Sequence, residues 1–299
     1  VSSVPSAPPS RDAHDQGRAQ RSAAARPART RLSQLAPRAA LLALLGLAIT
    51  GCTPDNAFTR LGWPEPVTKQ GQVALTLWQG SWIAAWIVGA VVWGLIIWAI
   101  IFHRKKRGSV APPHQVRYNL PIEMLYTVVP FIMVGVLFFF TARDENFIDK
   151  LSPHPAVTIT VVGYQWSWQF QYRNYPVPGS PTGYVTENGE PWSPQNGNSQ
   201  LPVLVMPANE TVRFNLVSTD VIHAFWIVPF EFKRDVIPGH PNHFEVTTTK
   251  TGSGIGHCTE LCGLYHSRML FKWRIVPQAQ FNAWVRAQQA AQQKAGGAQ

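Results

Sequence analysis

The chain has 299 residues, 45% of them hydrophobic, and a formal net charge of +10 at neutral pH. That length admits one or two domains, and so large a positive charge invites a nucleic-acid partner. Its distribution argues against one. Residues 1–51 hold seven arginines and two aspartates, Arg104-Lys105-Lys106-Arg107 adds four positive charges and Arg117 one, whereas from Arg143 onward 12 basic residues face 11 acidic ones. A basic leader and a basic loop on an otherwise near-neutral chain are targeting and topology signals, so no nucleic acid is expected as a partner. Three cysteines make no disulfide framework.

Residues 1–30 are rich in Ala, Arg, Ser and Pro without apolar periodicity and read as a disordered leader. Arg29 to Arg38 forms a basic region, and Ala39 to Ile49 is an apolar run of the length of a signal-peptide core, too short to span a bilayer. It ends in Ile49-Thr50-Gly51-Cys52. Small residues before a cysteine resemble a bacterial lipoprotein signal, with cleavage before Cys52 and lipid on its sulfur. An ordinary signal peptide with an incidental cysteine is the other reading. The expected division is a leader over 1–51, an extracytoplasmic linker over 52–76 carrying Pro54, Pro64 and Pro66, a helical hairpin over 77–141, a C-terminal domain over 142–290 and a disordered tail over 291–299.

Leu77 to Phe102 is apolar and uncharged, and Asn119 to Thr141 is apolar with Glu123 as its one charge. Each is long enough to cross a membrane. Between them His103 to Tyr118 holds five Lys/Arg and no acid, which the positive-inside rule places in the cytoplasm. Cys52 and the C-terminal domain then both lie outside, so the chain is expected to be a multi-pass protein of a bacterial cell membrane. From Val157 the apolar period becomes two: Val157, Ile159 and Val161, then Trp166, Trp168, Phe170 and Tyr172, later Val212, Phe214 and Leu216, and Phe271, Trp273 and Ile275. Short strands between Gly/Pro-rich turns predict a β-sandwich or barrel, with Trp166 and Trp168 as core residues by alternation alone. Residues 173–200 read as a long loop, and Phe281, Trp284 and Val285 predict a short final helix.

The segment richest in chemistry is Cys258-Thr259-Glu260-Leu261-Cys262-Gly263-Leu264-Tyr265-His266-Ser267-Arg268-Met269. Two thiols, an imidazole and a thioether in one loop form the ligand set of a copper electron-transfer site. Taken singly, these residues have ordinary readings: Cys258 and Cys262 as a local disulfide, Met269 as core packing, Glu260 as a surface carboxylate, and His223, in Asp220-Val221-Ile222-His223, as a satisfied core histidine.

Together the pattern C-x-E-x-C-x-x-x-H-x-x-M, an upstream histidine, the aromatic run Gly163-Tyr164-Gln165-Trp166-Ser167-Trp168 and a preceding transmembrane hairpin resemble the cytochrome c oxidase subunit 2 family over roughly residues 70 to 285. The resemblance implies a membrane-anchored α+β chain, a two-helix transmembrane hairpin followed by a cupredoxin-like Greek-key β-barrel. It implies a dinuclear copper centre (CuA) bridged by Cys258 and Cys262, each copper capped by His223 or His266, with Met269 as a weak ligand and Glu260 ligating through its backbone carbonyl. It also implies magnesium or manganese at the subunit 1 interface, held in part by the Glu260 side chain. Trp166 would accept electrons from a cytochrome c donor, and Glu123 would stand at the mouth of a proton-uptake path. For Glu123 an interfacial helix start is the plain alternative. Lys233 and Asp235 match a charged pair near a proton or water exit and equally suit a surface ion pair. His257 departs from the ligand pattern and reads as structural. The implied partners are subunits 1 and 3, membrane lipid, and a donor cytochrome that is tethered or held in a larger respiratory assembly. The implied work is oxygen reduction coupled to proton pumping. A copperless quinol-oxidase subunit, a thioredoxin-like copper chaperone and nitrous-oxide reductase fit less of the pattern.

Overall fold

The computed structural model describes residues 57–105, 108, 115–197 and 201–296. The leader, Cys52 and much of the basic loop lie outside these residues. Two long helices come first, α1 (Lys69–Phe102) and α2 (Leu120–Ile148). Both are long and apolar enough to cross a membrane. They are apolar around the whole circumference, and large side chains such as Trp86, Phe131 and Phe138 stand exposed. A helix of that kind needs lipid or other helices around it.

Both helices outrun the spans expected from hydropathy. α1 starts eight residues before Leu77, because Thr68 caps it: its hydroxyl accepts from the Gly71 amide at 3.0 Å, a cap of about 1 kcal/mol. The first turns are polar, so hydropathy misses them, yet they dock on the barrel. Gln70 is buried and accepts from the Thr247 amide at 2.9 Å, and Thr68 bridges to Thr248. The stretch expected as linker thus already contains helix. At its other end α2 continues past Thr141 to Ile148, through a buried Asp144 that pairs with Arg143 at 2.8 Å. The C-terminal domain's first strand begins at Val157, where the apolar period becomes two.

Among the described residues the C-terminal domain has ten strands: β1 (Val157–Tyr164), β2 (Ser167–Pro176), β3 (Tyr184–Asn188), β4 (Val203–Pro207), β5 (Thr211–Ser218), β6 (His223–Ile227), β7 (Lys233–Val236), β8 (Asn242–Thr247), β9 (Gly252–Cys258) and β10 (Leu270–Val276). They form two five-stranded sheets, ordered β3-β2-β1-β5-β8 and β4-β10-β9-β6-β7. Pairing is antiparallel except for β1 with β5 and β4 with β10. The sheets curl face to face over an aromatic core: Trp168, Phe170, Phe214, Phe225 and Phe271 are buried, with Phe225 and Phe271 stacked at 4.9 Å. The period-two runs from 157, 212 and 271 therefore point inward, as alternation requires.

Three readings need correction. Trp166 is not a strand residue: it lies with Gln165 in the turn between β1 and β2, and is only half-buried, while Trp168 is fully buried. Residues 173–200 are not all loop, since they include the end of β2 and all of β3. Proline, glycine and asparagine around that five-residue strand conceal it. The final helix, α3 (Gln278–Gly296), is neither short nor ended at 290. Phe281 and Val285 anchor it in the core, and Gln292 secures its far end. The Gln292 amide donates to the Thr186 carbonyl at 2.9 Å and accepts from the Thr186 amide at 3.1 Å. One side chain thereby satisfies the outward-facing amide and carbonyl of Thr186 on the β3 edge, a contact no apolar period reveals.

Candidate metal centre

His223 opens β6 and Cys258 closes β9, and the two strands pair with Phe225 opposite Cys258. Sheet register therefore brings together two residues 35 positions apart. The chain then loops out and returns through a short 3-10 turn, His266–Arg268, to Met269 just before β10. The loop is closed at its base, where the Cys258 amide donates to the Met269 carbonyl at 3.1 Å.

All six expected ligand positions converge here. The two thiol sulfurs are 3.7 Å apart and both are free, a separation far too long for a disulfide bond. Each thiol has its own imidazole: His223 Nδ1 lies 3.8 Å from Cys258 Sγ, and His266 Nδ1 lies 3.5 Å from Cys262 Sγ. Met269 Sδ stands 3.8 Å from Cys262 Sγ, and the Glu260 carbonyl 3.3 Å from Cys258 Sγ. His223 and Met269 are fully buried and both thiols nearly so.

This donor set fits a soft cation. Without one, burial and the neighbouring Cys258 thiol push the Cys262 thiol up to about 12. Two adjacent buried sulfurs cannot both ionise unless a positive charge lies between them, and a metal ion supplies it. Sulfur and imidazole nitrogen are the donors that copper prefers, whereas hard cations take oxygen.

Asp220, three residues before His223, is the residue that sequence reasoning passed over. Its carboxylate accepts from His223 Nε2 at 2.8 Å, from the Gln165 amide at 2.7 Å and from the Val221 amide at 2.6 Å. Burial alone would raise this carboxyl, but the hydrogen bonds from His223 and the two amides outweigh it and hold it below the usual range. With a carboxylate on Nε2–H, the lone pair of Nδ1 is left facing the sulfurs. This is the tautomer a metal ligand needs. Gly163 makes room for that ring, since a Cβ there would lie 3.1 Å from His223 Cδ2.

The turn between β1 and β2 is tied to the same loop. Gln165 Nε2 and Trp166 Nε1 donate to the Cys262 carbonyl at 2.8 and 3.3 Å. Gly263, at φ +119°, lies against Gln165 and Trp166 in a backbone conformation that L side chains rarely adopt. The Glu260 side chain leaves the cluster for the surface and pairs with Lys233 at 3.2 Å, and Lys233 also reaches Asp235 at 3.4 Å. Lys233 thus joins both acids. Burial would lower its pKa, but its hydrogen bonds to Glu260 and Asp235 raise it. His257 points away, 6.0 Å from the Trp226 ring. Far from this cluster, the Glu123 carboxylate accepts from the Asn119 amide at 2.8 Å while Asn119 Oδ1 accepts from the Ile122 amide at 3.4 Å. That is a cap at the start of α2, the geometry of an interfacial helix start.

The profile described as the periplasmic domain of cytochrome c oxidase subunit II matches residues 157–276. The "Probable cytochrome c oxidase subunit 2" of Streptomyces coelicolor is 49% identical over 277 residues, covering 84% of each chain. The chain belongs to the cytochrome c oxidase subunit 2 family. The "Cytochrome c oxidase subunit 2" of Mycobacterium tuberculosis strain H37Rv is 35% identical over 318 residues, covering 90% of this chain and 87% of its own. A crystal structure of the periplasmic domain of subunit II of cytochrome oxidase from Bradyrhizobium japonicum is 31% identical. It covers 47% of this chain and 99% of its own, with a TM-score of 0.38. Membership in the family makes the chain one subunit of a haem–copper oxidase, with electron transfer as its work.

Proposed function

We propose that this subunit takes electrons one at a time from a cytochrome c and delivers them toward haem in subunit 1, through a dinuclear copper centre held by Cys258, Cys262, His223, His266, Met269 and the Glu260 carbonyl. The observation that carries this reading is the pair of free buried thiols 3.7 Å apart, each with its own imidazole. When bound, a copper pair would supply one-electron exchange with little rearrangement. The protein's part is to prevent movement. Asp220 fixes the His223 ring, paired strands fix Cys258, and the closed loop base fixes Met269 against Cys262. Trp166 reaches the surface from a turn bonded to the Cys262 carbonyl, so a donor's electron finds an aromatic ring one hydrogen bond from a ligand.

The Glu260 carboxylate, free of the cluster, is the group we assign to magnesium or manganese at the subunit 1 interface, a hard cation suited to carboxylate oxygen. In the assembled oxidase it would exchange Lys233 for that ion. Glu260→Gln should reduce manganese bound per complex while leaving copper unchanged. Equal manganese in both proteins would remove the assignment. Glu123 is proposed to open a proton-uptake path as well as capping α2, and proton uptake by a Glu123→Gln oxidase reads this directly: uptake unchanged at full turnover contradicts it.

For topology and processing we propose that the basic loop is cytoplasmic, that the metal domain lies outside, and that the mature chain starts at a lipidated Cys52. Mass spectrometry of the purified subunit should find no peptide from residues 1–51 and an acyl adduct on Cys52. Recovery of Ala39–Ile49 in the mature chain contradicts cleavage. Cys52→Ser should lose the lipid yet stay in the membrane, since two spans remain.

The proposed partners are subunits 1 and 3 and a donor cytochrome that is tethered or held in a respiratory assembly. From Arg143 onward the chain is close to neutral, and Gln169, Gln171 and Arg173 occupy the stretch after Trp168 where an acidic cluster would steer a basic donor. Tethering raises the effective concentration without such steering. Within the complex, oxygen reduction and proton pumping are the proposed consequence of the electrons this subunit supplies.

A further inference from the structure

Trp166 does not stand alone beside the metal loop. The Tyr265 ring stands edge-on to it at 4.8 Å, and the Trp192 ring packs on Tyr265 at 4.4 Å. The Arg268 guanidinium lies over the Trp192 face at 5.7 Å. Trp192 comes from the connection between β3 and β4, and backbone bonds hold it there. Its amide donates to the Trp166 carbonyl at 3.3 Å, and the Gly189 amide donates to the Trp168 carbonyl at 2.9 Å. Asn196 braces the same turn, accepting from the Ser193 amide at 2.9 Å and donating to the Pro191 carbonyl at 3.0 Å. All three rings are half-buried rather than core, and Arg268 is exposed. The chain thus holds a continuous line of aromatic contacts from the Cys262 carbonyl through Trp166 and Tyr265 to Trp192, some 26 positions beyond the expected electron acceptor in sequence and the ring that carries the exposed Arg268.

Resting on the electron-transfer reading above, we propose that Trp192 is the ring a haem donor touches first, with Tyr265 and Trp166 coupling it to Cys262. Electronic coupling falls steeply with through-space distance, so a donor docked on Trp192 gains from rings in contact all the way to a ligand. Arg268 places a cation beside the contact ring, where it matches a carboxylate on the donor's docking face. One electron leaves a ferrous haem, which becomes ferric, and reduces the centre by one equivalent. No bond is made or broken, no proton moves, and the rings stay closed-shell.

The test uses the complete oxidase and soluble mitochondrial-type cytochrome c as the probe. Binding of the oxidised cytochrome is measured by surface plasmon resonance, which involves no turnover, beside copper content and spectrum. Trp192→Ala should weaken binding about tenfold, the loss expected of a central aromatic contact, with copper content and spectrum intact. Arg268→Gln should weaken it less and flatten its salt dependence. Binding unchanged in Trp192→Ala overturns the proposal, the more so if Trp166→Ala weakens it. Should the alanine variant lose copper, Trp192→Leu, which keeps the apolar bulk, takes its place with the same two outcomes. An unmutated oxidase that holds copper but binds no c-type cytochrome overturns the donor reading itself, and this inference with it.

Discussion

Replacing either Cys258 or Cys262 by serine is expected to abolish the dinuclear copper site outright. The two sulfurs lie 3.7 Å apart, with His223 on one side and His266 on the other. A bridging role gives each thiolate to both metals, so losing one is not a half-loss. A serine hydroxyl is shorter, harder and ionises far less readily, and so does not replace a bridging sulfur. The remaining thiol would sit buried with no cation to stabilise its charged form. Metal analysis should find well under two coppers per chain, and the mixed-valence purple absorption should vanish in both variants. Either variant keeping two coppers and the purple spectrum removes the bridging assignment. Met269→Leu differs in kind, because a weak ligand tunes the potential more than it holds the metal, so copper should be partly retained.

Trp166→Ala should slow electron acceptance severely, by about a hundredfold as a positioning loss, while the copper spectrum stays intact. The reason is that Trp166 touches the metal loop through its indole bond to the Cys262 carbonyl without supplying a ligand. Gln165 keeps its own bond to that carbonyl, so the loop stays anchored in the variant. Stopped-flow reduction by ferrous cytochrome c, followed at the copper absorption, separates the two effects. A Trp166→Ala oxidase reduced at the unmutated rate contradicts the role. The same experiment in rising salt reports on steering: a near-neutral C-terminal domain should show only a mild fall. A steep fall from fast turnover at low salt would reveal an acidic docking face and dismiss the tethered donor.

What the sequence disclosed depended on how local each signal was. Cys258, Cys262, His266 and Met269 stood out because uncommon donor types fall within one short loop, and His223 followed from the family pattern. The inward faces of β1, β5 and β10 were readable because each is half-buried and alternates cleanly. Asp220 was not: a carboxylate before a histidine is ordinary until the fold turns both toward the same metal loop. The tyrosine and tryptophan that continue the ring contacts of Trp166 were hidden for a related reason. Tyr265 lies among the ligands and Trp192 in a Pro/Asn-rich stretch, and only the β1–β2 turn brings them together. The first turns of α1 and the end of α3 escaped notice because polar side chains dock them, Gln70 on Thr247 and Gln292 on Thr186. Such amide contacts leave no apolar period to read.

The central claim is that this chain holds two coppers between its paired thiols. The most direct measurement is copper per polypeptide in the purified, unmutated subunit, taken together with its optical and electron paramagnetic resonance spectra. Two coppers per chain with one unpaired electron shared between them is the expected result. One copper per chain with the spectrum of an isolated cupric ion, or no copper in a folded subunit supplied with the metal, would contradict it.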